Sequence, residues 1–265
     1  MKNRKIMWMC ESAVMVALGT VLSMVAIINM PFGGSVTAAS MVPVMLIAYR
    51  YGVGMGSITG LVYALIQLML GANNLSYATS SAAAVAIIML DYLLAFTSIG
   101  LAGVFKDKLN SQSSEAVLGA TLVCAIRYIM HVISGCTVWA GVSIPTEEGL
   151  IYSLTYNAAY MVPEAIVSIA AIWYLTRVVD FRNQRLGRVV ESKGKAGGIF
   201  SAISALLLIV AATFSALMLF ASTQTEEGFN ISAISSAPFS VIGIVVAALV
   251  LLSVVFYLVG KRSKK

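Results

Sequence analysis

Apolar runs long enough to cross a lipid bilayer succeed one another along almost the whole chain, separated by short polar stretches. A crossing helix needs about 20 mostly apolar residues. The pattern predicts such elements over residues 9–29, 40–51, 53–71, 78–105, 116–141, 150–176, 198–222 and 237–260. The second run is short and contains Pro43, which predicts a broken or partly inserted helix covered by its neighbours. The fold class implied is all-α, a polytopic membrane helical bundle.

Composition agrees with the pattern. Hydrophobic residues make up 60% of the chain and charged residues 11%, against about 25% charged in soluble domains. The net charge of +6 does not point to nucleic acid, because the cations sit in alternate short loops. Lys2, Arg4 and Lys5 precede the first run, Arg50 follows the second, and Lys106 and Lys108 follow the fourth. Arg177, Arg182, Arg185, Arg188, Lys193 and Lys195 follow the sixth, and Lys261, Arg262, Lys264 and Lys265 come last. The loops near 29–40, 71–78, 142–150 and 222–236 contain no Lys or Arg. The positive-inside rule then puts both termini in the cytoplasm of a multi-pass plasma-membrane protein with an even number of spans. The basic start resembles a signal peptide, but the many later spans favour an uncleaved first helix. Cys10, Cys124 and Cys136 lie in apolar runs, and with a single His they build no ordinary zinc site. No metal or cofactor is expected.

Organisation follows from where the polar groups fall. Residues 1–180 hold all the intramembrane charges, residues 181–196 form a basic linker, and residues 197–265 carry two runs whose cores have no ionisable side chain. The last segment reads as an appended helical pair. Ala13 and Ala17, four apart, put small side chains on one face of the first helix. That face suits either packing within the chain or docking of another membrane subunit.

Four ionisable groups lie well inside the runs: Asp91, Arg127, His131 and Glu164. Each is costly in hydrocarbon unless paired or hydrated. Arg127 and Glu164 fall near the middle of their helices and are expected to form a structural ion pair. In the fifth run Arg127, His131, Gly135 and Trp139 recur at four-residue spacing and share a face. The stripe runs from cation to imidazole to a gap to an indole. The sixth run offers Tyr152, Tyr156 and Asn157 near its start, and the fourth offers Asp91 and Tyr92. Together these could wall a pocket suited to a flat, cationic, nitrogen-rich ligand, since ring faces attract positive charge and a carboxylate can bond an amino-heterocycle. A satisfied histidine with interfacial aromatic anchors is the plainer alternative.

The strings MPFGGSVTAASMVPVMLIAYRYG, LDYLLAF, RYIMHVISG with a following Trp, and YSLTYNAAYMVPE resemble the thiamine-specific substrate-binding (S) component of energy-coupling factor transporters. The likeness covers roughly residues 8–176. It implies a six-helix S-component core, here followed by two additional C-terminal transmembrane helices. It further implies thiamine as ligand, bound from outside, and a transmembrane coupling subunit with two ATPase subunits as partners. Carried over by position, the ligand contacts would be Asp91, Tyr92, Arg127, His131, Gly135, Trp139, Tyr152 and Asn157. Asp91 would meet the aminopyrimidine, Trp139, His131 and Tyr92 would stack, and Tyr152 and Asn157 would fix polar edges. The family often has Glu at the position of Asp91, and it uses an aromatic residue in the first outer loop, for which Phe32 is the candidate. Ala13 and Ala17 match its docking motif.

Two other functions compete. Asp91, His131 and Glu164 could relay protons in a stand-alone secondary transporter of a related organic cation, although no internal repeat is evident. An intramembrane enzyme using the same groups lacks any metal motif or activated nucleophile. No GxxxxGK[ST] motif occurs, so the chain does not supply ATP hydrolysis by that route.

Overall fold

The computed structural model describes residues 2–109, 111–140, 147–183, 186–189, 195–225 and 228–262. Side chains are described within these except at 2–3, 137–140, 147–148, 195–198, 201 and 228–229. The long helices are α1 (Lys2–Met24), α2 (Val42–Tyr51), α3 (Val53–Leu70), α4 (Ser81–Gly103), α5 (Gln112–Ala140), α6 (Glu147–Val178), α7 (Lys195–Ser222) and α8 (Phe239–Arg262). All but α2 are long and apolar enough to cross a membrane. This makes the chain a multi-pass membrane protein. The helices answer one for one to the eight apolar runs.

The first run departs most from expectation. Its helix starts in the basic segment and stops at Met24, and its last residues form β1 (Ala26–Asn29), paired antiparallel with β2 (Ser35–Thr37). The hairpin tip bends sharply: Met30 N–H donates to Gly34 O (2.7 Å), and Phe32 and Gly33 both have positive φ, 65° and 92°. Glycine takes that conformation at little cost, whereas phenylalanine does so only where its surroundings require it.

The centre of the bundle is α2. Every residue from Val42 to Arg50 is buried, so these nine residues touch protein rather than lipid. Around it Met45, Tyr49, Tyr63, Ile99, Val123 and Ile172 are almost wholly inaccessible. Gly52, at φ 91°, lets the chain reverse in one residue between α2 and α3, and its N–H closes α2 by donating to Ala48 O (2.9 Å). Glycine also lets α3 and α4 approach, because a Cβ on Gly100 would lie 2.2 Å from Ser57 Oγ.

One end of the bundle is tied by charge. Arg50 Nε pairs with Glu11 (2.8 Å), Arg50 Nη1 donates to Asn183 O (2.7 Å), and Lys106 Nζ donates to Arg50 O (2.6 Å). Beside them Glu115, with no exposed surface, accepts from Tyr49 Oη (2.5 Å), Leu109 N–H (2.9 Å) and Arg182 (2.9 Å). Hydrogen bonds from Arg182 to Glu115 and Tyr49 hold that guanidinium above its ordinary pKa. Lys106 moves the other way, since burial disfavours its charge. These contacts gather the chain near the ends of α2, α4 and α6 and the start of α5 on one side.

The expected linker is not free at its start. Phe181 is buried in the main core, Arg182 and Asn183 join the charged cluster, and β3 (Val179–Asp180) pairs with β4 (Gly187–Arg188). Beyond it α7 lies on α6 through small residues, with Ala205, Ala212 and Ala216 all under 5% exposed. Helix α8 packs on α7, joined by Ser204 and Ser253 (2.8 Å) and by Phe200 and Phe256 (6.1 Å between rings). It reaches α6 where the Arg177 guanidinium sits 5.0 Å from the rings of both Trp173 and Tyr257. Its outer face, with Ile244 and Leu251, is exposed as a lipid-facing surface would be.

Candidate functional site

At the end opposite the charged cluster, a cavity of about 470 Å³ lies between the β1–β2 hairpin and α3, α4, α5 and α6. Its walls combine rings and polar groups for local reasons. Helix α4 becomes π-helical over Ile87–Leu94, and wide turns of this kind are frequent at functional sites. Both Asp91 and its neighbour Tyr92 line the cavity from that stretch. On α5, Arg127, His131 and Gly135 descend one face at helical spacing, and Ser134 joins them. On α6, Tyr152, Tyr156 and Tyr160 form a similar stripe, with Asn157 beside it.

Asp91 is the polar centre of one wall. Oδ1 lies 2.8 Å from His131 Nδ1, and Oδ2 accepts from Ser134 Oγ at 2.7 Å. An ionised carboxylate only accepts, so Nδ1 carries the proton of the imidazole. The other ring nitrogen, Nε2, then faces Arg127 Nη2 at 3.5 Å as an acceptor. Arg127 also lies against Met41 Sδ and 4.5 Å from the centre of the Phe96 ring. Its Nε is buried with no hydrogen-bond partner among the described residues.

Tyr92 is held at the rim: its hydroxyl donates to Gly71 O (3.0 Å) and accepts from Asn74 Nδ2 (2.9 Å). Asn157 is oriented at both ends of its amide, donating to Ser153 O (2.8 Å) and accepting from Tyr160 Oη (2.7 Å). Tyr152 and Tyr156 lie parallel, 6.2 Å apart. The hairpin tip completes the enclosure. Phe32 meets Tyr77 edge-on at 5.3 Å, Tyr156 Oη donates to Pro31 O, and a Cβ on Gly34 would sit 2.8 Å from the Tyr160 ring. Gly135 faces Ser153, whose Oγ would lie 2.4 Å from an added Cβ.

Seven of the eight residues expected to contact ligand thus line one cavity: Asp91, Tyr92, Arg127, His131, Gly135, Tyr152 and Asn157. The side chain of the eighth, Trp139, lies outside the described residues. Phe32 lines the cavity as well. The expected ion pair of Arg127 with Glu164 is not a contact. Glu164 instead accepts from the N–H (2.5 Å) and hydroxyl (2.7 Å) of Thr37, fastening β2 to the middle of α6. Arg127 and Glu164 both line the cavity, but the Glu164 carboxylate is taken up by Thr37. Asn74, Tyr77, Ser134 and Tyr160 were not foreseen. Of these, Tyr160 continues the four-residue series of Tyr152 and Tyr156, a signal the sequence carried. Ala13 and Ala17 are both exposed on α1.

A membrane-embedded bundle with a mixed polar and aromatic chamber at one end belongs to the class of small-molecule membrane binders and transporters. Within that class the match is specific: residues 9–182 fit the family described as thiamine transporter protein. The chain belongs to this family, whose members are transporters rather than enzymes. It is similar to the thiamine transporter ThiT of Bacillus subtilis strain 168, with 34% identity over 177 residues, 63% of this chain and 88% of that protein. The solved structure of ThiT from Listeria monocytogenes shares the fold, with a TM-score of 0.51 at 24% identity over 66% of this chain and 94% of that one. The family match stops short of α7 and α8.

Proposed function

We propose that this chain captures thiamine from the extracellular side and serves as the S component of an ATP-driven energy-coupling factor transporter. The observation that carries the reading is Asp91, held between His131 and Ser134 in a chamber otherwise walled by rings. A carboxylate fixed in this way accepts from an exocyclic amine, and Tyr92, Tyr152, Tyr156 and Phe32 offer faces and edges to a flat cation. The volume falls within the roughly 300–1,000 Å³ usual for small-molecule sites. Among the described residues Arg127 is the one Lys or Arg in the lining, which favours unphosphorylated thiamine over its phosphates.

Orientation follows the positive-inside rule. The charged end of the bundle faces the cytoplasm with both termini, and the chamber opens outward. The exposed Ala13 and Ala17, among exposed Met9, Val14, Leu18 and Val21, supply a low-relief face on α1 for the coupling subunit. Two ATPases on that subunit supply the energy.

Purified protein in nanodiscs is expected to bind thiamine saturably at one site. Uptake in cells is expected to vanish when the coupling subunit or its ATPases are removed. Uptake that persists without them and collapses with an uncoupler would establish a proton-coupled carrier instead. Absence of saturable binding would remove the thiamine reading altogether.

A further inference from the structure

The hairpin that closes the chamber has a second side. Its inner residues, Phe32 to Ser35 and Thr37, line the cavity. Its other apolar residues, Ile28, Met30 and Val36, are buried at 7% exposure or less in a cluster with Tyr156 and Ala216. Ala216 belongs to α7, and Phe220, one turn further along the same face, packs on this cluster together with Tyr152 and Tyr160. The appended helix therefore touches both the hairpin and the tyrosine stripe that forms the opposite side of its seat. Hydrogen bonds hold the hairpin at Thr37 and at the tip, through Glu164 and Tyr156. Between those anchors, contact with α7 covers it from behind.

We infer that α7 is a brace for the chamber wall, with Ala216 and Phe220 as positioning residues that slow ligand release without touching ligand. A hairpin of three residue pairs is marginal on its own. Its resistance to swinging away from α6 then depends on what packs behind it. The contact opposes outward movement of the hairpin, so it acts on the lifetime of the closed state rather than on encounter. Affinity differences within one interface reside mainly in dissociation. This inference rests on the thiamine reading above.

The test uses the full-length chain in nanodiscs, with stopped-flow fluorescence reporting thiamine association and dissociation separately. Phe220→Ala is expected to raise the dissociation rate by about tenfold while changing association less than about threefold, as expected when a mutation acts on residence time. Phe220→Leu is expected to restore most of the residence time. Phe256→Ala, which removes the ring contact with Phe200 near the start of α7, serves as the control and is expected to leave both rates unchanged. Rates are read on the bound fraction, so a loss of folded protein lowers the amplitude and not the rate constant. An unchanged dissociation rate in Phe220→Ala overturns the inference, and so does an equal acceleration by Phe256→Ala. Failure of the unsubstituted chain to bind thiamine overturns the underlying reading instead.

Discussion

Asp91→Ala is expected to weaken thiamine binding by roughly 100-fold or more. A hydrogen bond to a charged group contributes about 1.5–3 kcal/mol, and tenfold in affinity corresponds to about 1.4 kcal/mol. The carboxylate side chain is 24% exposed and its histidine partner 13%, so the contact is largely shielded from water and the upper figure applies. The substitution removes the acceptor for the ligand amine and also leaves His131 Nδ1 and Ser134 Oγ without their partner. Asp91→Asn keeps one acceptor and the shape but loses the charge, and it should fall between the two. Fluorescence titration in nanodiscs measures all three. A Kd for Asp91→Ala within about threefold of the unsubstituted protein would falsify the assignment of this carboxylate to the ligand, because even one neutral hydrogen bond is worth more than that.

The second large effect is on stability and arises at the opposite end. Glu115→Ala is expected to destabilise the bundle by about 3 kcal/mol, the scale for breaking a buried charge pair by removing one partner. That corresponds to a fall in Tm of about 6–12 °C for a chain of this size. Glu115 is wholly buried and accepts three hydrogen bonds, from Tyr49, Leu109 N–H and Arg182. Arg182 is 37% exposed and can turn to water once released. Tyr49, at 1% exposure, cannot. Glu115→Gln keeps the side-chain shape and one acceptor oxygen but turns an NH2 towards the donors on the other side, so it should recover less than half the loss. Thermal unfolding in detergent without ligand gives the comparison, and thiamine affinity of the folded fraction should not change. A melting point within about 2 °C would mean that the cluster is peripheral to folding.

What could be read beforehand divides along physical lines. Helical period made the stripe of Arg127, His131 and Gly135 visible, because residues four apart must share a face whatever packs against them. Hydropathy made the eight runs visible, since lipid demands continuous apolar length. The hairpin was invisible for the same reason: Val25 to Met30 is apolar enough to extend a helix, and nothing local marks where lipid stops and a binding chamber starts. Asp91 and Tyr92 are marked by their chemistry, and adjacent residues share the cavity on the regular helices too, as Tyr156 and Asn157 do. Because the strand carrying Thr37 is hidden in an apolar run, the sequence pairs Glu164 with Arg127, whereas its hydrogen-bond partner is Thr37. Glu115 falls just outside the fifth apolar run, where nothing in the sequence signals burial. Asn74 and Tyr77 sit in a short polar connection, where sequence offers no period to follow.

The helix α2 carries an implication for how the protein is made. At ten residues it rises about 15 Å, half the thickness of the hydrocarbon layer, and it carries Arg50 near its end. Inserted alone during synthesis it would leave backbone groups unmatched in oil and a cation stranded. The translocon therefore has no independent stop at this point and must retain α2 until α3, joined to it through Gly52, can enter alongside. Residues 42–70 are expected to integrate together, and in a nascent chain arrested between the two helices α2 should remain accessible to water-soluble labelling reagents although α1 already holds the chain in the membrane.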